Sequence, residues 1–291
     1  MQEPDQLFAR IERLIERLDA RYAPQSARID WEKSIACLWR HQHGRGHLEA
    51  VRHPHRIRLA DLHNIDEQKQ EIDRNTRQFL AGLPANNVLL WGSRGTGKSS
   101  LVKALLTTYA ERGLRMIEVE PRHLTDLHDI VDLVHDRPER FILFCDDLSF
   151  EADDPSYKAL KAVLDGSLAG TADNVLVYAT SNRRHLLPEY MDENEQARLL
   201  GGEIHHGEAV EEKISLSERF GLWLSFHPFS QDHYLDICFS WLKELGASLD
   251  DPEDIRRAAL RYALARGSRS GRVAWQFARD RTGRTGLSTA D

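Results

Sequence analysis

Cysteine is scarce in this chain, and the few that occur lie far apart. The 291 residues include three cysteines, Cys37, Cys145 and Cys238, an odd number without a Cys-x-x-Cys pair. A disulfide framework needs an even set of closely spaced cysteines in an oxidising compartment. The cysteine content therefore argues against a disulfide-stabilised scaffold and favours a reducing compartment.

Long apolar runs and an excess of basic charge are also missing. No apolar run approaches the roughly 20 residues that a membrane helix needs, and the start "MQEPDQLFARIERL" is too charged for a secretory signal. We therefore expect a cytoplasmic protein without a membrane partner. With 39 basic and 46 acidic residues the net charge is −7. This charge argues against nucleic-acid binding without excluding it, because local patches of the surface can still be basic.

Short apolar runs alternate with helical patterns between residues 87 and 226. The runs are "NVLLW" (87–91), "RMIEV" (115–119), "FILFC" (141–145), "NVLVYA" (174–179) and "LWLSF" (222–226). Continuous apolar runs separated by helices are typical of a parallel sheet that is covered on both faces. From about Phe229 the pattern becomes purely helical, with Ser230 and Asp251 as N-caps and Gly246 and Gly267 as stops.

The same patterns predict the domain organisation. We expect a helical, basic N-terminal extension (1–56), an α/β core (57–228), a small all-α lid (229–282) and a tail (283–291). Residues 4–21 have the spacing of an amphipathic helix, which either packs on its own protein or docks on a partner. The segment 183–217 is long for a connection and is either a surface loop or a contact element that moves with nucleotide state.

A glycine-rich stretch joins the first predicted strand to a helix. Gly92-Ser93-Arg94-Gly95-Thr96-Gly97-Lys98-Ser99 fits the phosphate-binding pattern G-x-x-x-x-G-K-[ST] without mismatch, and Ser100 follows in the helix. Glycines let backbone N–H groups turn towards phosphate oxygens, and the helix directs its positive end at the same anion. We expect Lys98 to reach the β- and γ-phosphates and Ser99 to ligate Mg²⁺.

Two aspartates close another apolar run, "RFILFCDDLSF". A phosphate-binding loop needs a second oxygen ligand for its metal at the end of a neighbouring buried strand. We expect Asp146 to hold Mg²⁺, in part through water. Asp147 is expected to orient or deprotonate the attacking water. Cys145 beside them is interpreted as a small buried residue rather than a redox centre.

With these two motifs in order, the sequence resembles an AAA+ ATPase, which implies an α/β P-loop fold that binds ATP. "VLVYATSNRRH" resembles the sensor 1 strand, with Asn182 as its polar residue. "ISLSERFG" resembles the segment that carries the arginine finger, here Arg219. "GSRSGRVAWQF" resembles the sensor 2 helix, with Arg272 preferred over Arg269. "IRLADLHNIDEQKQEI" resembles the segment that lines the adenine pocket. A GTPase is disfavoured because no N-K-x-D motif follows the fourth strand.

Four segments narrow the resemblance. "FCDDLSFE", "YKALKAVLDGSL", "YATSNRRHL" and "GSRSGRVA" together are similar to a family of uncharacterised bacterial AAA+ ATPases, labelled as a domain of unknown function. This resemblance covers about residues 57–281 and implies the fold and the nucleotide chemistry but no substrate. Asp147 departs from the AAA+ pattern, in which a glutamate usually serves as base. Aspartate is one methylene shorter, so slow turnover is expected, although bacterial replication initiators also show two aspartates there.

Arg219 and a group of five histidines each have two competing interpretations. Arg219 either completes a neighbouring subunit's site, which would make hydrolysis depend on assembly, or forms a salt bridge with Glu218 or another acid. His41, His43, His47, His53 and His55 are interleaved with arginines, at irregular spacing that disfavours a metal site. They are interpreted as a solvated loop or partner surface, with nucleic-acid phosphates as an alternative ligand.

These features together predict a Mg²⁺-ATP-dependent AAA+ ATPase that assembles into a homo-oligomer, with a ring as the expected arrangement and Arg219 acting in trans. Its expected role is the remodelling of a protein client or a protein–nucleic-acid assembly. The first alternative is a slow, nucleotide-gated binding switch, similar to an initiator or loader on DNA. The second is a P-loop kinase, which would leave the sensor 1 and finger segments unexplained.

Overall fold

The fold is described from a computed structural model of the chain. It describes residues 29–42, 44–150, 154–165, 172–184, 186, 198–200, 203–205 and 216–288. The amphipathic segment at 4–21 and His43 lie outside these residues. None of the described helices is long and apolar enough to cross a membrane.

The core is a seven-stranded sheet. Its strands in chain order are β1 (Ala36–Gln42), β2 (Arg45–Ala50), β3 (Val88–Gly92), β4 (Leu114–Glu118), β5 (Arg140–Cys145), β6 (Val175–Ser181) and β9 (Leu222–Phe226). They lie in the order β2-β1-β4-β5-β6-β3-β9. All neighbours are parallel except β1 and β2, which form an antiparallel hairpin. The five apolar runs predicted from the sequence correspond to the strands β3, β4, β5, β6 and β9.

Helices cover both faces of this sheet, as the continuous apolar runs predict. They are α1 (Asp66–Leu80), α2 (Lys98–Tyr109), α3 (Leu127–Val134) and α4 (Pro155–Asp165), with 3₁₀ turns at Leu59–Asp61, Ala110–Arg112 and Pro121–Asp126. One buried cluster packs α1, α2 and the C-terminal helices against one face. A second cluster packs α3 and α4 against the other face. The mixed α/β fold with a parallel sheet is confirmed.

Three helices follow the last strand, as predicted. They are α5 (Gln231–Glu244), α6 (Pro252–Arg266) and α7 (Gly271–Ser288). The Ser230 Oγ accepts a hydrogen bond from the His233 N–H, and the Asp251 side chain accepts one from the Asp254 N–H, so both N-cap predictions are confirmed. Gly246 and Gly267 follow their helices with positive φ, which an L side chain adopts at a cost.

The hairpin β1–β2 differs from the expectation for residues 1–56. That segment is predicted as a helical, basic extension, whereas residues 36–50 add two strands to the main sheet, β1 pairing in parallel with β4. The reason is that Cys37 and Trp39 alternate into the core while β2, as an edge strand, keeps polar side chains. The domain boundaries at 57, 229 and 283 stay predictions.

The long connection after β6 contains a second, small sheet. Strands β7 (Arg198–Leu200) and β8 (Glu203–His205) form an antiparallel pair in which Leu199 faces Ile204 in register. Part of the segment predicted as a loop or contact element is therefore a short β-ladder. Its relation to nucleotide state stays a prediction.

Two asparagines fix the start of β3 and thereby the position of the loop that follows it. Asn75 on α1 donates to the carbonyl of Asn86 at 2.8 Å and accepts from the Asn86 N–H at 3.0 Å. The Asn87 side chain accepts from the Val177 N–H of β6 at 2.8 Å. Asn75 is buried, and together these hydrogen bonds hold the strand in one register.

Candidate functional site

A cavity of about 790 Å³ opens at the carboxyl ends of the central strands. In open parallel sheets ligands bind in the crevice outside these ends. The cavity is lined by the glycine-rich loop, by the ends of β5 and β6, by the segment before α1, and by α5 and α7. Residues 94–100, Asp146, Asp147, Asn182 and Arg272, all predicted site residues, are among the lining residues.

The glycine-rich loop is anchored by a backbone contact with the last strand. The Ser93 N–H donates to the Phe226 carbonyl at 2.9 Å. A Cβ on Gly92 would lie 2.1 Å from that same oxygen, and Gly92 has φ +126°. Gly92 is therefore required both by its conformation and by the close approach of β9. Gly92 and Ser93 lie behind the cavity rather than among its lining residues.

Lys98 is buried at the start of α2 and directs its ammonium into the loop. Its Nζ donates to the carbonyls of Gly92 and Ser93, each at 2.8 Å, and to the Asn182 Oδ1 at 3.3 Å. Burial lowers the pKa of Lys98, and the carboxylates of Asp147 and Asp146 act against this effect. The positive charge therefore lies at the helix N-terminus, where phosphate oxygens are stabilised.

Ser99 and Asp146 meet although they come from a helix start and a strand end. The Ser99 hydroxyl donates to the Asp146 Oδ1 at 2.6 Å, and the Thr180 hydroxyl donates to the same oxygen at 2.6 Å. A hydroxyl and a carboxylate at this separation are oxygen ligands of the kind that Mg²⁺ prefers. The two residues therefore fit the predicted metal-binding role.

Asp147 adopts an unusual backbone conformation beside them. Its φ is +55°, a left-handed value that is uncommon for a residue other than glycine. The Asp147 N–H donates to the Thr180 Oγ1 at 2.9 Å, and the Asn182 Nδ2 donates to the Asp147 Oδ1. Asp147 and Asn182 both line the cavity, and the sensor 1 role of Asn182 stays a prediction. A backbone outlier held by its neighbours is typical of a functional site.

The C-terminal helices contact the glycine-rich loop directly. The Gly271 N–H at the start of α7 donates to the Gly95 carbonyl at 2.8 Å. A Cβ on Gly95 would lie 2.8 Å from the Ser270 Cβ and Oγ. Arg272 lies one residue beyond this contact and lines the cavity, whereas Arg269 is not among the lining residues. The position of Arg272 agrees with its choice as the sensor 2 candidate.

Apolar residues form a wall of the cavity. Before α1 it comprises Ile57, Leu62 and Ile65, and from the C-terminal region it comprises Phe229, Ile237, Trp241 and Trp275. The two tryptophan rings meet edge to face with centroids 4.6 Å apart. Aromatic and aliphatic side chains form the kind of surface on which a nucleobase packs.

Arg219 lies outside this cavity and faces α4. Its Nε is 2.5 Å from the Asp165 Oδ1, and its side chain is 23% exposed. The salt bridge considered as the alternative role of Arg219 is therefore present, and Asp165 is a partner in it. The predicted arginine-finger role stays a prediction that concerns a neighbouring subunit.

Several residues that shape the site were not predicted from the sequence. Thr180 joins Asp146 to Asp147, the tryptophans supply the apolar wall, and Gly271 contacts the loop. A hydroxyl two residues before Asn182, at the end of an apolar strand, was an available signal for Thr180. No such signal existed for Trp241 and Trp275, which lie 34 residues apart on separate helices.

With the fold and the site described, the chain can be compared with known proteins. Residues 32–285 match the family described as "Protein of unknown function (DUF815)". This match spans most of the chain, and the protein belongs to that family. The predicted membership in a family labelled as a domain of unknown function is confirmed.

Two more distant relatives give the wider context. The Replication factor C large subunit of Sulfolobus acidocaldarius is 36% identical over 75 residues, which are 25% of this chain and 17% of that subunit. An arginine-to-alanine variant of RuvB from Thermotoga maritima is similar in structure, with a TM-score of 0.51 at 14% identity, over 76% of this chain and 63% of RuvB. At this identity the likeness to RuvB shows the fold alone, so the chain shares the α/β fold of RuvB.

Proposed function

We propose that this protein is a Mg²⁺-ATP-dependent ATPase that works as a cytoplasmic homo-oligomer and remodels a protein or protein–nucleic-acid partner. One observation carries the proposal. A continuous set of hydrogen bonds runs from Lys98 through Asn182 to Asp147, and a second runs from Ser99 through Asp146 to Thr180. These two sets meet where the glycine-rich loop would hold a triphosphate.

Binding would begin with an exchange of hydrogen bonds at Lys98. Its ammonium donates to the Gly92 and Ser93 carbonyls, and phosphate oxygens are stronger, charged acceptors for the same donors. The N–H groups of residues 95–99 and the start of α2 would surround the β-phosphate. Mg²⁺, held by Ser99 and Asp146, would neutralise charge on the phosphates. The base would pack on the wall that contains Trp241 and Trp275.

Hydrolysis would use the two polar residues at the strand ends. The Asp147 carboxylate would accept a proton from water as the water oxygen attacks the γ-phosphorus and the bond to the β–γ bridging oxygen breaks, leaving ADP and phosphate. Asn182 would hold Asp147 in place and contact the γ-phosphate. Arg272, beside the contact between Gly271 and Gly95, would report the nucleotide state to the C-terminal helices.

The direct test is Lys98→Ala with Lys103→Ala as its matched control. Lys103 lies on the same helix but is 34% exposed and faces Glu118 at 3.8 Å. Loss of the Lys98 ammonium should weaken ATP binding by about 100-fold or more, since it removes two charged hydrogen bonds, and should abolish phosphate release. Lys103→Ala should bind and hydrolyse ATP as the wild type does. Equal turnover in all three preparations would refute the assignment.

The homo-oligomer requires a separate test, because Arg219 is paired with Asp165 on its own chain. Arg219→Ala should bind ATP and release little phosphate. Mixing Arg219→Ala with Lys98→Ala should restore part of the activity, since each variant supplies the group that the other lacks. If the mixture stays inactive while size-exclusion chromatography shows mixed oligomers, Arg219 does not act in trans.

A slow nucleotide-gated switch is the second candidate function, and Asp147 is the observation that favours it. The aspartate is shorter than the usual glutamate and is held by Asn182, which limits its approach to a water molecule. The 75-residue similarity to a replication factor subunit keeps nucleic acid among the candidate partners. Asp147→Asn should trap ATP, so partners that co-purify with this variant, and whether nuclease releases them, would separate a protein client from nucleic acid.

A further inference from the structure

The outer edge of the sheet brings two imidazoles and a carboxylate together, far from the nucleotide site. His41 lies at the end of β1, and His123 and Asp126 belong to the 3₁₀ segment after β4. One ligand atom of each residue lies within 4.8 Å of the other two. We propose that His41, His123 and Asp126 form a binding site for a divalent transition metal, with Zn²⁺ as the best match.

The local backbone explains why these three side chains converge. A 3₁₀ helix has three residues per turn, so His123 and Asp126 project from the same side of their segment. Strand β1 runs parallel to β4, with Leu38 opposite Glu118, so the end of β1 and the segment after β4 meet at one edge. The His41 Nε2 is 2.5 Å from the Asp126 Oδ2, and the rings of His41 and His123 stack with centroids 4.1 Å apart.

Trp39 holds the Asp126 carboxylate in place with a hydrogen bond. Its ring is 2% exposed, and its Nε1 donates to the Asp126 Oδ2 at 2.8 Å. A Cβ on Gly46 would lie 2.0 Å from the Trp39 ring, so the glycine in β2 makes room for this indole. Trp39 and His41 lie two residues apart on one strand and therefore on one face of the sheet. At metal sites, a hydrogen-bond donor of this kind commonly holds the ligating carboxylate in its orientation.

The neighbouring arginines do not leave uncompensated positive charge at the site. Arg40 forms ion pairs with Glu120 and, at 3.8 Å, with Glu49, while Arg122 is 2.8 Å from Glu120. Together with Asp126, these acids balance the positive charge of Arg40 and Arg122. His47 is directly opposite Arg40 in the hairpin and lies on the face away from His41. It is therefore not a fourth ligand.

The donor set selects the class of metal. Two imidazoles and one carboxylate suit Zn²⁺ and its first-row neighbours rather than Mg²⁺ or Ca²⁺, which prefer oxygen ligands. Zinc bonds of about 2.0–2.1 Å in a tetrahedral site place ligand atoms about 3.3 Å apart. The three ligand atoms lie within 4.8 Å of one another, so metal binding would require rotations of these side chains, and the fourth position would hold water. Four strand spacings, about 19 Å, separate β1 from β3, so this metal site would be distinct from the cavity. The metal would join the hairpin to the 3₁₀ segment before α3.

The test is zinc binding by the full chain after treatment with a chelator, in buffer with excess Mg²⁺ as a competitor for the metal site proposed at Asp146. Zn²⁺ affinity is measured by competition with a chromophoric chelator, and Co²⁺ absorption reports the coordination. The wild type should bind one Zn²⁺ equivalent more tightly than His41→Ala or His123→Ala, by at least about 100-fold. His128→Ala, which removes an exposed histidine on the neighbouring helix, is the matched control and should bind as the wild type does.

Thermal unfolding separates a built site from scattered surface histidines. A metal that binds the folded state raises the Tm, so Zn²⁺ should raise it in the wild type and in His128→Ala but not in His41→Ala. The His41 side chain is 36% exposed, so we expect His41→Ala to fold as the wild type does. Unchanged ATP binding would verify that the variant is folded. Equal Zn²⁺ affinity in the wild type and His41→Ala would overturn the proposal and leave a hydrogen-bonded His–Asp pair.

Discussion

The cavity proposed to bind nucleotide and the outer sheet edge lie at the same end of one mostly parallel sheet, but they are built from different parts of the chain. The cavity is formed around backbone groups of a continuous loop, residues 92–99, into which Lys98 and Asp146 project. The outer edge is formed by side chains that lie 85 residues apart, as between His41 and Asp126. A site built on backbone geometry needs glycines in a fixed pattern, whereas a site built on side chains needs only that the fold brings them together.

The largest effect on stability and ATP binding is expected where the glycine-rich loop packs against the backbone of β9. Gly92→Ala would place a Cβ 2.1 Å from the Phe226 carbonyl at φ +126°. The loop must then move, and we expect loss of ATP binding and a decrease of about 3 kcal/mol or more in the free energy of unfolding. Urea unfolding and nucleotide titration measure the two effects.

Gly113→Ala is the control for this variant. Gly113 also has a positive φ, +90°, but a Cβ there would meet no atom within 4 Å. It should cost about 1 kcal/mol from backbone strain alone and leave ATP affinity unchanged. Equal losses of ATP affinity in both variants would show that the approach of β9 does not shape the loop.

A smaller effect is expected where one buried hydroxyl joins the two aspartates. Thr180→Val keeps the shape but removes the donor to Asp146 and the acceptor for the Asp147 N–H. Leaving that N–H without a partner should cost about 1–3 kcal/mol of stability. We expect kcat to fall by about tenfold or more, because Asp147 loses its position.

Thr180→Ser preserves both hydrogen bonds and should retain most of the turnover. Steady-state kinetics at saturating ATP compare the two variants with the wild type. If Thr180→Val turned over ATP as fast as Thr180→Ser, the hydroxyl would have no role in placing the aspartates.

The smallest effect is expected at the outer edge. Trp39→Phe removes the indole N–H that donates to Asp126 but keeps an aromatic ring in the core. The free energy of unfolding should decrease by about 1–2 kcal/mol, while kcat and ATP affinity stay at the wild-type values. Zn²⁺ affinity should fall by about 10–100-fold, as for other outer-shell partners. Reduced ATP affinity in this variant would mean that the two regions are coupled.

The difference between the two regions also explains which features could be predicted. The apolar runs that became β4 to β6 are almost entirely buried, and those of β3 and β9 are partly buried, so hydrophobicity alone identified them. The hairpin was missed because β2 is an edge strand with polar side chains, although Cys37 and Trp39 alternate with exposed residues in β1. Alternation over so short a stretch is a weak signal when several arginines and histidines interrupt it.

By itself the sequence determined the glycine-rich loop at the start of a helix, the acidic strand end, and the order of the five apolar strands and the three C-terminal helices. Each depends on neighbours along the chain, such as glycine at a positive φ or a cap one residue before a helix. Only the tertiary structure decided that Thr180 joins Asp146 to Asp147, that two tryptophans from separate helices form one wall, and that Arg219 pairs with Asp165. These contacts depend on how the strands and helices pack, and no local pattern of residues encodes the distance between two side chains that meet only after folding.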